Sequence, residues 1–297
     1  MLIRFRQSRS IKNKSTYASL SKGGPIKSAN LKGYCSKGFT LIELVVAMVL
    51  LGILSVGVSS FLQFGSQIYA DATARDQILS SARFAIERLN RELRASLPNS
   101  SRITNDCLEF MPIKASAIYV DIPVSPDSAS DKITIVPAST SVSSADIISL
   151  NAIVYPVAAD DVYLKSNKKF YPIDIVTYSS DPTNVPHTLT LEDSVLFAEE
   201  SATNRIYFID DSVMYCIEGS GDNKNLIRYD VTDHSNAGEP LGLTNRAVMA
   251  EFLMNSSGFS TNGANLQRNA IVSVRLHFMR LFEEIVFDNE IQVPNVP

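Results

Sequence analysis

Lys37-Gly38-Phe39-Thr40-Leu41-Ile42-Glu43-Leu44-Val45-Val46 is the stretch around which the rest of the chain is organised. It sets a cation and a glycine before a phenylalanine, and a lone carboxylate, Glu43, four positions after it. The 27 positions from Leu44 to Ala70 carry no charge, and up to Leu62 most are apolar or small. About 20 apolar residues suffice for a helix to cross a bilayer, so 39–62 is long enough to span one. A carboxylate near the head of such a run is unfavourable in lipid, by up to about 2.5–3.5 kcal/mol at the centre and less near the interface. An acid kept there reads as functional, with a partner of opposite charge to be found.

Gly38-Phe39-Thr40-Leu41-Ile42-Glu43, lying directly before a membrane-spanning run, resembles the type IV prepilin signature. The resemblance implies that a prepilin peptidase cuts between Gly38 and Phe39 on the cytoplasmic side and N-methylates Phe39. It also implies that Glu43 pairs with a neighbouring subunit's terminal amine during assembly. The plainer alternative is a secretory signal or signal anchor. A signal peptide has an apolar core of about 7–15 residues and then a small-residue cut site. Ser55-Val56-Gly57 could be stretched into such a site, but Gly38, Phe39 and Glu43 then have no role.

The net charge of −4 over 297 residues hides an asymmetry. Residues 1–38 hold nine cations and no acid, which leaves 18 cations against 31 acids in the rest, a balance of −13. A basic segment beside a transmembrane helix stays cytoplasmic, so the remainder faces outward. No aromatic or groove-reading motif accompanies the basic segment, which argues against a nucleic-acid arm. Of the three cysteines, Cys35 falls in the leader. Cys107 and Cys216 remain as an even pair in an oxidising compartment and are expected to form a disulfide, with two buried free thiols as the alternative. His187, His234 and His277 show no ligand spacing, and no Gly-rich phosphate loop, nucleophile elbow or zinc motif is present. No cofactor is implied, and no metal site.

The pattern predicts one helix over 39–97, stopped by Pro98 and Asn99. Its first part is apolar all round. Its second part repeats Ile78, Ala82, Ile86, Leu89, Leu93 and Leu97 along one face, a docking stripe for the chain's own domain. Arg83 with Glu87, Glu87 with Arg91 and Arg88 with Glu92 stand at i, i+4 spacing and read as a solvated face.

After Leu97 the texture is β, with candidate strands at 107–112, 117–122, 132–136, 147–157, 174–178, 188–191, 205–209, 213–218, 226–231, 248–254, 271–278 and 284–293. Val272/Val274/Leu276/Phe278 and Ile285/Phe287, continuing to Ile291/Val293, predict a C-terminal hairpin with one buried face. Residues 219–225 read as a hairpin loop whose Asp222, Asn223 and Asn225 could hold Ca²⁺, although a turn explains them equally well. Residues 125–149, rich in Ser, Pro, Ala and Asp, read as a surface excursion. The expected architecture is α+β: a basic leader 1–38, a long N-terminal helix 39–97, and a β-rich domain 98–297 of antiparallel sheet packed on the helix.

Two further sets of residues refine the resemblance. Residues 81–94, with Leu97-Pro98-Asn99-Ser100, resemble the helix end of the J-type minor pseudopilin and PilW-like group. Cys107-Leu108-Glu109-Phe110-Met111-Pro112-Ile113, Met214-Tyr215-Cys216 and Val293-Pro294-Asn295-Val296-Pro297 are similar to minor pilin-like proteins of the mannose-sensitive haemagglutinin (MSHA) pilus. The implied role is structural: a subunit that primes filament assembly or sits at the tip. Its implied partners are the peptidase, other minor pilins, the major pilin, inner-membrane assembly machinery and membrane lipid. The alternatives are a J-type pseudopilin of a type II secretion system, or a tip adhesin binding through 125–149.

Overall fold

Thr40 starts the first helix. Its hydroxyl accepts the Glu43 N–H at 3.3 Å and its carbonyl accepts the Leu44 N–H at 3.2 Å, which satisfies donors that a helix end leaves open. The computed structural model describes residues 38–137, 147–177, 187–233, 241–262, 269–281 and 283–293. Residues 1–37 of the expected leader 1–38, with Cys35, the stretch 138–146 of the expected excursion, Tyr178 of the expected strand 174–178, His234 and the terminal 294–297 lie outside the described residues.

Helix α1 runs Leu41–Arg94, three residues short of the expected end. The reason is competition from β-type hydrogen bonds. Leu97 donates its N–H to Met111 at 2.7 Å, and Ile113 donates to the Ala95 carbonyl at 3.2 Å. Ser96 bridges Pro112, so 95–97 leave the helix to pair with the strand region beyond it.

The chain divides into two units, Met1–Ser59 and Ser60–Pro297. In the first, the helical residues 41–59 are exposed throughout, and at ~1.5 Å per residue they span about 28 Å. In the second, the rest of α1 buries Ala74, Ile78, Ala82, Ala85, Leu89 and Leu93. Ile86, expected in the stripe, is only half-buried, and Ala85 takes the inner position. Leu97 is buried as well, but off the helix and in a different cluster.

The remaining elements are β1 (Arg102–Thr104), β2 (Cys107–Phe110), β3 (Ile113–Asp121), β4 (Ser130–Pro137), β5 (Asn151–Val154), the short helix α2 (Ala159–Tyr163), β6 (Phe170–Thr177), β7 (His187–Val195), β8 (Arg205–Ile209), β9 (Ser212–Ser220), β10 (Asn223–Asp233), β11 (Leu241–Leu253), β12 (Gly258–Asn262), β13 (Ala270–Arg280) and β14 (Glu283–Val293). They form two antiparallel bodies. An eight-stranded sheet runs β1-β2-β9-β10-β11-β13-β12, with β14 on β13, and β3-β4-β7-β6-β5-β8 close into a barrel. In sequence the barrel is an insertion between β2 and β9, which are neighbours in the sheet.

Each body has its own core. The α1 stripe packs with Leu108, Phe110, Tyr215, Leu226, Leu253 and the inner face of β13 and β14. The barrel is filled by Ile133, Ile135, Ala152, Leu189, Ile206, Phe208 and their neighbours. A smaller cluster joins the two bodies, with Leu97 and Met111 against Ile153, Val162, Tyr163, Phe170, Tyr207 and Ile209.

The expected C-terminal hairpin is present: Val272, Val274, Leu276 and Phe278 are buried, as are Ile291 and Val293. The loop expected at 219–225 is shorter, because β9 and β10 pair up to Ser220↔Asn223 and leave Gly221-Asp222 as the turn. Gly219 is needed there: its φ is +136°, and a Cβ would lie 2.8 Å from the Asn223 carbonyl oxygen. Within the expected excursion 125–149, residues 130–137 are strand β4, with Ile133 and Ile135 in the barrel interior. The expected strand 147–157 is cut to Asn151–Val154, and the chain then turns into α2.

Candidate anchoring and assembly segment

The N-terminal segment offers open, apolar surface. Gly38 has no atom within 4 Å of where a Cβ would stand, and Phe39 is 84% exposed. Leu41, Ile42, Leu44, Val45 and Val46 are exposed too, and α1 is long and apolar enough to cross a membrane. Glu43 lies in the first turn of α1, where the unsatisfied N–H groups favour negative charge. Thr40-Leu41-Ile42-Glu43 has the sequence form of a capping box, of which the Thr40 half is formed, its hydroxyl accepting the Glu43 N–H.

The two cysteines meet far from this segment in sequence. Cys107 of β2 and Cys216 of β9 are ladder partners, joined by a disulfide with S–S 2.10 Å and Cα–Cα 4.1 Å. Around them lie two ionic nodes. Glu92, near the end of α1, accepts from Arg88 at 2.9 Å, from the Tyr215 hydroxyl at 2.9 Å and from Arg228 at 3.2 Å. Arg228 reaches Asp230 as well, at 2.7 Å. Glu109, 1% exposed, accepts from Arg102 at 2.8 Å and from the Ser212 hydroxyl at 2.6 Å. The Arg102 guanidinium stacks 3.7 Å from the centre of the Tyr163 ring.

Burial, then the charge and hydrogen bond of Glu92, push the Tyr215 phenol above its ordinary range. Burial followed by the Glu109 charge does the same to Tyr163. Arg228 is pulled down by burial, but Glu92 and Asp230 outweigh that and hold it above its usual value.

Reading Glu92 as one end of a solvated i, i+4 pair missed its main partners, since Tyr215 and Arg228 come from β9 and β10. The expected Arg88–Glu92 pair is present within the node. Glu109 gave no sequence signal beyond an acid in an apolar run.

His187 lies on β7, in register with Ile135. The His277 ring meets Ser256 through Nδ1 and Glu284 through Nε2, the latter at 2.7 Å. A nucleophile relay has the same three residue types but with the two ring nitrogens exchanged. The same turn is tied to the His277 backbone, since Ser257 Oγ accepts its N–H at 2.9 Å and Met254 N–H donates to its carbonyl at 2.8 Å. We read the contact as a tie holding the turn on β13. Among the described residues no group of three or more His, Cys, Asp or Glu gathers to hold a metal.

A family model described as the prokaryotic N-terminal methylation motif matches residues 34–59. No curated protein and no solved structure matches the chain. The matched residues contain Gly38, Phe39 and Glu43 and the head of α1, so the chain has a type IV pilin-like N-terminal segment. Such a motif implies processing by a prepilin peptidase and assembly into pilus-type complexes. The apolar helix it heads fits the membrane anchor of such subunits.

Proposed function

We propose that this protein is a minor pilin-like subunit of a type IV pilus, of the MSHA type and most similar to MshO, which primes filament assembly or occupies the tip. The observation that supports the pilin-like part of this reading is the methylation motif at 34–59 directly heading an exposed apolar helix, and the MSHA part rests on the resemblance of 107–113, 214–216 and 293–297. The leader 1–38 is cytoplasmic and is removed between Gly38 and Phe39, Phe39 is N-methylated, 39–62 spans the inner membrane, and the β-rich domain 98–297 is periplasmic until the subunit enters a pilus at the cell surface. In the membrane the mature subunit carries an ammonium at Phe39 and a carboxylate at Glu43. Pairing opposite charges with a neighbouring pilin lowers the free energy of holding them in lipid.

Mass analysis of the membrane-extracted protein tests the reading. The expected N-terminus is N-methylated Phe39, and a bulky residue at Gly38 is expected to block cleavage. An N-terminus past Leu41, or an uncut leader in cells with active peptidase, would falsify it.

The resemblance of 81–94 to J-type minor pseudopilins supports a second reading, the same subunit physics in a type II secretion system. Gene neighbours separate the two. A tip adhesin is the third, and deletion within 138–146 followed by separate assays of adhesion and piliation addresses it.

A further inference from the structure

The sheet-to-barrel crossing is closed twice. On the sheet side, Cys107 faces Cys216 and Phe110 faces Val213 in the β2–β9 ladder, and the disulfide joins the first pair. On the barrel side, Ile113 at the start of β3 faces Ile209 at the end of β8. Among the described residues between those two lie the six barrel strands and α2; the barrel core shares no residue with the helix–sheet core, and the two bodies touch through the smaller cluster of Leu97 and Met111 with Val162 and Tyr163. The chain thus leaves the sheet and returns to it between two closures, one covalent and one made by the folded barrel itself.

We propose that Cys107–Cys216 is a redundant clasp that keeps the α1-bearing sheet folded whatever the state of the barrel. Without the disulfide, an open barrel becomes a flexible loop of about 100 residues that the β2–β9 pairing must close against chain entropy, a penalty that rises with the logarithm of loop length. The consequence reaches the core. Leu108 and Phe110 of β2 are both 0% exposed and belong to one cluster with Leu89 and Leu93 of α1, so freeing β2 opens that cluster. With the disulfide in place the long loop never has to be closed. With the barrel folded, Ile113 and Ile209 already hold its ends together. Each closure therefore substitutes for the other, and only the loss of both exposes the sheet.

Amide hydrogen exchange on the full-length, detergent-solubilised protein reads this directly. Ile133→Ala opens the barrel core, where Ile133 is fully buried. In the oxidised protein, the barrel amides of Ile135 and Leu189 are expected to exchange about 30-fold faster or more. The sheet amides of Tyr215 and Ile227 are expected to stay within about twofold of wild type. Cys107→Ala/Cys216→Ala with an intact barrel is expected to keep the sheet amides protected. The combined variant is expected to lose that protection together with the barrel. Ile133→Val supplies the same comparison with a milder opening should Ile133→Ala not fold.

Three results would each overturn the proposal. Tyr215 and Ile227 could follow the barrel in the oxidised protein, which makes the two bodies one cooperative unit. They could stay protected in the combined variant, which leaves the disulfide no part in the closure. Or the cysteine-free variant with an intact barrel could fail to fold, which removes the barrel as a second closure.

Discussion

Tyr215 donates its hydroxyl proton to Glu92 at 2.9 Å, tying β9 to the last turns of α1. The same carboxylate holds Arg88 on its own helix and Arg228 on β10. One acid thereby fixes where the helix end lies on the sheet. Tyr215 is fully buried and stacks on Phe110 with ring centroids 6.1 Å apart, so this polar tie sits at the edge of the apolar core.

Removing that donor while keeping the ring isolates the tie. Tyr215→Phe is expected to cost about 1.5–3 kcal/mol, the range for a hydrogen bond to a charged group. The pH dependence has a defined sign. Burial and Glu92 raise the folded-state pKa of Tyr215 above its unfolded value near 10. The stabilisation is therefore complete below about pH 10 and is lost as pH rises, because the unfolded chain releases the proton first. Denaturant titrations from pH 8 to 11 should show a shallower alkaline decline for Tyr215→Phe than for wild type. Equal slopes would mean that Tyr215 is not linked to folding.

Arg102 and Glu109 make the stronger test of a buried charge. Their side chains are 15% and 1% exposed. Arg102→Ala leaves the Glu109 carboxylate without its guanidinium and removes the stack on Tyr163. The expected loss is about 3–5 kcal/mol. Glu109→Gln is expected to lose less, because the amide oxygen can still accept from Ser212. Chemical denaturation checks the order, and a loss under 1 kcal/mol for Arg102→Ala would contradict it.

The helix seam can be checked by contrast. Leu89 is 1% exposed within the helix–sheet core, whereas Phe84 on the same helix is 52% exposed. Leu89→Ala is expected to destabilise by about 2–5 kcal/mol. Phe84→Ala is expected to stay within about 0.5 kcal/mol in the isolated protein. Thermal unfolding of the two variants side by side measures the difference.

Glu43→Val separates anchoring from assembly. A longer apolar run inserts at least as well, so membrane extraction should match wild type and the mature N-terminus should still be N-methylated Phe39. Co-purification of partner pilins should fall several-fold, since the amine loses its counter-charge. Undiminished co-purification and full piliation would count against an assembly role for Glu43.

Some of the interior was legible in the chain. The alternation from Val272 to Phe278 named the buried face of β13, and the spacing of Ile78, Ala82, Leu89 and Leu93 named the inner face of α1. Both are local patterns, set by where side chains point along a strand or a helix. The end of α1 was not legible. Residues 95–97 are helix-compatible, and only Met111 and Pro112, brought alongside by the fold, draw them out of the helix. Strand β1 is three residues long, and β12 is largely polar, so neither offered a pattern to read. α2 packs Val162 and Tyr163 into the junction between the two bodies, a contact that a five-residue helix does not announce.

By itself the sequence determined an apolar run long enough to cross a membrane, the long helix, the charge asymmetry of residues 1–38 and the antiparallel β character, because composition and period are properties of consecutive residues. Tertiary structure alone decided which strands pair. A period-two pattern tells a strand which face to bury but not which partner to take. β2 therefore finds β9 across a hundred intervening residues. Strands β3 to β8, which lie among those residues, close into a barrel of their own, and Glu92 turns from a surface acid into the tie between helix and sheet. Each of these depends on groups distant along the chain, whose meeting is set by loop closure and packing rather than by any local preference.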